Sequence, residues 1–154
     1  MRNARTVGIQ DSLTRGWWHI DMVNRILKRI RISWPGGSVV AALQHTPSSE
    51  ALIACLPFKS VAQTWGEEVY FGLPISVDLE ANARQVVEPG TVCIWVQGHS
   101  MALPFGPTPI AEGTECKMVT PVNMLGWLEG DARVLAKVRD GDPIEVHLIN
   151  GARG

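Results

Sequence analysis

The chain has no apolar run near the roughly 18–20 residues that a membrane-spanning helix needs, so no membrane association is expected. Trp17, Trp18 and Ile20 are too few to form the hydrophobic region of a signal peptide. Cysteine is scarce: Cys55, Cys93 and Cys116 make an odd number with no metal-type spacing. Cys55 and Cys93 sit in apolar surroundings, which points to buried, reduced thiols and a cytoplasmic protein. His19, His45, His99 and His147 are scattered without a paired ligand, so no metal is expected. Gly106-Pro107-Thr108-Pro109 lacks the lysine and the helix that a phosphate-binding loop requires, and no nucleophile-elbow sequence occurs. No cofactor is expected.

The 154 residues are enough for one domain with its own core, and 45% apolar with 19% charged is an ordinary globular balance. Fifteen glycines and ten prolines favour short elements joined by turns. Charge is uneven. Residues 1–31 carry seven basic side chains against Asp11 and Asp21, while residues 32–154 carry seven against thirteen acidic ones. The basic head lacks the stacking aromatics interleaved with sustained positive charge that single-strand binders use, so no nucleic acid is expected. Residues 1–28 read as a flexible extension, with no period over 1–21 and Met22 as an alternative start to Met1. The domain is expected over 29–150, with a tail at 151–154.

The most informative stretch runs from Val61 to Pro74. Gly66 allows a tight turn, and Pro74 cannot donate to a central ladder. Between them a strand alternates: Glu67, Val69 and Phe71 on one side, Glu68 and Tyr70 on the other. The first face wants a core. The second is either the wet side of a half-buried sheet or a polar pair aimed at a ligand.

In chain order, Arg29–Trp34 and Ser38–Leu43 form a hairpin around Pro35-Gly36-Gly37. A helix starts at Thr46-Pro47, with Ala51, Leu52, Cys55 and Leu56 on one face, and stops at Pro57, leaving Val61 at its exit. Strand continues over Pro74–Val77, Asp78–Val87 is loop, and Thr91–Val96 is a strand buried on both faces. Met101–Phe105 returns from the turn at Gln97–Ser100, and Ala111–Cys116 is exposed. Two strand pieces lie either side of Pro121, with bulges at Asn123 and Gly126. A helix over Ala132–Arg139 buries Val134, Leu135 and Val138, and Ile144–Ile149 is the last strand. About eight strands adjacent in sequence, with two short helices, predict a mainly all-β, closed or nearly closed antiparallel barrel.

The sequence Thr64-Trp65-Gly66-Glu67-Glu68-Val69-Tyr70-Phe71, the Pro89-Gly90 strand and Phe105-Gly106-Pro107-Thr108-Pro109 resemble a small bacterial and archaeal family of cyclophilin-like proteins of unassigned function. The likeness covers about residues 29–149. It implies an eight-stranded β-barrel closed at its ends by two helices, as in the prolyl isomerase cyclophilin. Family members usually carry a proline-glycine pair after the strand tryptophan and two phenylalanines before the glycine loop; here those places hold Val96-Gln97-Gly98 and Pro104-Phe105. The isomerase's arginine strand has no counterpart: Val96-Gln97-Gly98-His99 echoes its end, but no suitably spaced arginine precedes it. Arg84 sits in a polar loop within reach of the site, but loop arginines are mostly solvated. Shared fold does not carry activity.

Candidate ligand-binding residues are Trp65, Glu68, Tyr70, Trp95, Phe105 and Thr108, with no catalytic residue assigned. Adjacent Glu67 and Glu68 face opposite ways on a strand and cannot form a carboxylate dyad, though one alone can act as a general base if burial raises its pKa. His99-Ser100 lacks a third group and an oxyanion hole. Two readings stand. One is a cyclophilin-like module binding a small molecule or peptide without ordinary isomerase activity, alone, as a homo-oligomer or with a partner subunit. The other is an enzyme: a divergent prolyl isomerase, or an amide-hydrolase-type activity or its accessory subunit.

Overall fold

The structure, a computed structural model, describes residues 26–149. The expected N-terminal extension lies outside the described residues as far as residue 25, and so do residues 150–154. Strand β1 (Ile26–Trp34) begins a little earlier than the alternation indicated, and β2 (Gly37–Gln44) completes the hairpin with Trp34 opposite Gly37. Helix α1 (Pro47–Ala54) follows, its N-cap Thr46 Oγ1 accepting from the Ser49 N–H at 3.0 Å. The apolar stripe is narrower than expected. The helix ends at Ala54, so Cys55 and Leu56 pack only in part, and the buried residues are Leu52 with Ser48 and Ser49.

The other strands are β3 (Phe58–Thr64), β4 (Glu68–Gly72), β5 (Arg84–Val87), β6 (Thr91–Trp95), β7 (Ser100–Pro104), β8 (Cys116–Glu129) and β9 (Pro143–Leu148). Eight of them close a ring in the order β2-β1-β9-β3-β4-β7-β6-β8, sealed by pairing of β2 with β8. Every pairing is antiparallel. Strand β5 stands outside the ring, on the first half of β8. No helix among the described residues is long and apolar enough to cross a membrane.

Several local expectations change, each for a long-range reason. Val61–Thr64 is strand rather than helix exit, because β3 pairs with β9 and β4. The strand through Tyr70 ends at Gly72 rather than running on to Val77, and Leu73 N–H turns to His99 O. Arg84–Val87, expected as loop, is β5. Cys116, expected to be exposed, is fully buried, its thiol donating to Gly106 O at 3.1 Å. The second helix is a six-residue 3-10 helix, Ala132–Lys137, with Leu135 and Val138 buried and Val134 only half-buried.

The two pieces around Pro121 are one strand. Pro121 is tolerated there because residues 118–121 form a bulge opposite Gln85, where no ladder donor is needed. Gln85 Nε2 holds the bulge by donating to Met118 O (2.9 Å) and Val119 O (3.3 Å). Further along β8, Gly126 faces Val92 and Met124 faces Cys93, leaving Leu125 as the extra residue of a bulge. Gly126 is there because a Cβ would collide with the Ala42 carbonyl oxygen on β2.

Two apolar clusters result. The larger fills the ring and includes Ile30, Ile32, Leu43, Val69, Phe71, Ile94, Met101, Leu103 and Leu125. The smaller consists of Val87, Cys93, Ala102, Cys116, Met118 and Val122, with Tyr70, Trp95 and Met124 against it. Strand alternation puts Tyr70, Cys93, Trp95 and Ala102 opposite the residues that fill the ring. The second cluster therefore lies on the outer face of β4, β7 and β6, under the first half of β8 and β5.

Candidate functional site

That covering is incomplete, and a cavity of about 140 Å³ remains beside it, lined by Trp65, Glu68, Tyr70, Trp95, Met118 and Val119. Each side chain arrives for a local reason. Gly66 takes φ +60° in the turn between β3 and β4, and a Cβ there would press 2.6 Å from Pro109 Cδ. That turn, with Trp65 N–H donating to Glu68 O at 3.0 Å, sets Trp65 next to the first residue of β4. Trp95, at the end of β6, lies over Gly98, where any side chain would collide with the indole. Its Nε1 donates to Thr120 Oγ1 at 2.9 Å, fastening the ring to the bulge of β8.

Tyr70 meets Trp95 edge to face, ring centroids 6.1 Å apart and planes at 87°. The Tyr70 hydroxyl donates to Gln63 Oε1 at 2.8 Å, on the neighbouring strand. Glu68 is the anomaly. Only 4% of it is exposed, and its Oε1 is buried without a hydrogen-bond partner among the described residues. Burial raises its pKa from the ordinary 4.5 to about 7. Cys93 and Cys116 share this surrounding, and burial pushes both thiols up, Cys116 to about 11.

Of the six residues singled out in the sequence, the fold brings Trp65, Glu68, Tyr70 and Trp95 together. The other two do not line the cavity. Phe105 is buried in the main core, with the Arg133 guanidinium 5.2 Å from its ring centre. Thr108 is buried too, its hydroxyl donating to Lys117 O at 2.5 Å. Met118 and Val119 were not singled out, because only the pairing of β8 with β5 carries them across the outer face. Glu67 turns away from Glu68 to pair with Arg133 at the end of the barrel, Oε1 to Nη1 2.6 Å. His99 Nδ1 lies 3.1 Å from Ser76 Oγ, while Ser100 donates to Gly98 O, so His99 and Ser100 form no nucleophile pair. Arg84 is an exposed residue of β5 and does not line the cavity.

Chemically, the arrangement is an apolar recess with aromatic walls and one buried carboxyl poised between its two protonation states near neutral pH. Fold and recess together define a closed antiparallel barrel with a small pocket on its outer face. The family model described as cyclophilin-like matches residues 28–147, and the chain belongs to that family. Its structure is similar to the solution structure of a hypothetical protein from Archaeoglobus fulgidus, with TM-score 0.68 and 32% identity, covering 83% of this chain and 100% of that one. No curated protein matches it.

Proposed function

We propose that this cyclophilin-like domain is a binding module that takes a small molecule, or one side chain of a peptide, in the pocket of Trp65, Glu68, Tyr70 and Trp95. One observation carries the reading: the buried Glu68 Oε1 has no partner among the described residues and belongs to a residue that lines a cavity. An unpaired buried acceptor costs about 1–3 kcal/mol, and a ligand donor that reaches the Glu68 carboxyl from the cavity would offset part of it. A cavity of about 140 Å³ suits a group of few heavy atoms rather than a drug-sized molecule. Ordinary prolyl isomerase activity is absent on this reading, since among the described residues no arginine lines the pocket to hold a substrate amide. Three free cysteines, Cys93 and Cys116 buried and Cys55 half-buried, favour a cytoplasmic setting.

A second reading has one observation in its favour. A carboxyl titrating at about 7 is suited to general acid–base work, which is what a divergent isomerase or amide hydrolase would need.

A metabolite and dipeptide screen read by tryptophan fluorescence tests the first reading, run beside a proline-peptide isomerisation assay. Quenching or a spectral shift in the native chain, weakened in Glu68→Gln, together with no isomerisation above background, is the expected result. Isomerisation at rates ordinary for cyclophilins would replace the first reading with the second.

A further inference from the structure

The pocket's walls select among ligands. We infer that the pocket takes a small alkylammonium head group, seated against Trp65, Tyr70 and Trp95 with the Glu68 carboxylate as its counter-charge. This assignment rests on the binding function proposed for the same site.

Three features favour a cation over a neutral amide or an anion. Tyr70 and Trp95 meet at right angles and, with Trp65, line one small space, and a cation is drawn to aromatic rings where a neutral group is not. Two of the three indole and phenol donors on the lining residues are already used, Trp95 Nε1 by Thr120 and the Tyr70 hydroxyl by Gln63, which leaves Trp65 Nε1. An amide would bring a carbonyl that competes for that one donor, whereas an ammonium group brings donors or positive charge only and matches the unpaired carboxyl oxygen. Among the described residues Glu68 is the sole charged side chain lining the cavity, so an anion would face a carboxylate there.

Size and access agree. A cavity of about 140 Å³ has room for several water molecules, enough for a methylated ammonium head. Val119, half exposed at the rim of the lining, leaves a route for the rest of a longer molecule to run outward. That shared chemistry belongs equally to a free quaternary amine and to a methylated lysine side chain.

Binding is then coupled to protons. The cation pairs with ionised Glu68, so affinity rises with pH up to about 7 and levels off above it. The titratable groups around Glu68 are Tyr70 on the same face of β4, its hydroxyl held by Gln63, with Cys93 on β6 and Cys116 on β8, whose raised pKa values keep both thiols neutral across that range. Strand β7 contributes no titratable side chain, and Glu67 is occupied by Arg133.

The test is calorimetric titration of the full chain at about pH 8 with four probes: choline, its uncharged carbon isostere dimethylbutanol, N-methylacetamide, and an N-acetyl trimethyl-lysine amide. The expected result is that the two cations bind about tenfold or more tighter than either neutral probe, by the strength of a desolvated cation–π contact with a counter-charge. Choline affinity should fall about tenfold per pH unit below 7, while dimethylbutanol affinity stays level. Glu68→Gln should remove the charge preference and its pH dependence; Trp65→Leu, which leaves the carboxyl in place, should reduce the preference and keep the pH dependence. Whichever cation binds tighter supports the assignment and names its source. A neutral probe binding as tightly as choline would overturn the cation assignment and leave the pocket standing. No binding by any of the four at tens of millimolar would overturn both.

Discussion

Replacing Glu68 by glutamine tests the physics of the site without any ligand. A carboxyl that ionises at about 7 in the folded chain and near 4.5 when unfolded is held more tightly by its proton in the folded state. The stability it brings is therefore complete below about pH 4.5 and is lost as pH rises through about 7. The gap between the two values is worth about 3 kcal/mol, at roughly 1.4 kcal/mol per pH unit. Glutamine has nearly the same shape and does not titrate, so the variant cancels the contribution of every other ionisable group. Urea unfolding of both proteins from about pH 4.5 to about pH 8.5 gives the difference directly. Native protein should lose about 3 kcal/mol relative to Glu68→Gln across that range, most of it between pH 5 and 7. Cys93 and Cys116 stay protonated in the folded chain throughout, and the slope that their unfolded thiols add near pH 8.5 is common to both proteins. Parallel stability curves would show that the carboxyl is solvated, and the account of a buried, unpartnered acid would be wrong.

Two further substitutions test the frame that holds the pocket. Gly126→Ala places a methyl group against the Ala42 carbonyl oxygen at the seam between β2 and β8, and should lower unfolding free energy by about 2–3 kcal/mol in thermal or urea denaturation. Thr46→Ala removes the acceptor for the Ser49 N–H at the start of α1 and should cost about 1 kcal/mol, with ligand binding unchanged because α1 does not line the cavity.

The barrel was legible because its strongest signals are local. Alternation in Arg29–Trp34, the Thr46-Pro47 helix start and the apolar run Thr91–Val96 each reveal an element from a few neighbouring residues. What escaped depends on partners far along the chain. Phe58–Thr64 is a strand because β9 and β4 flank it, and Arg84–Val87 becomes one only by adding to β8.

The site divides in the same way. Glu68 and Tyr70 share a face by strand period, which the sequence displays. Whether that face meets water or a second apolar cluster depends on the bulge at 118–121 folding over it, and no periodicity encodes that. Phe105 and Thr108 were drawn to the site by their place in a distinctive loop. Loop proximity in sequence said nothing about which way each side chain would turn, and Phe105 turned into the barrel.

The most direct measurement of the central claim is a small-fragment screen followed in nitrogen-15 correlation spectra, using the indole N–H signals of Trp65 and Trp95 as reporters. Both rings line the cavity, and the Trp95 indole N–H is held on Thr120 Oγ1, so an occupant should shift both signals together. The account expects fragments that move both indoles in the native chain, with weaker or absent effects in Glu68→Gln at unchanged fold. Fragments that bind elsewhere and leave both indoles still, or that bind the pocket equally well without the carboxylate, would contradict it.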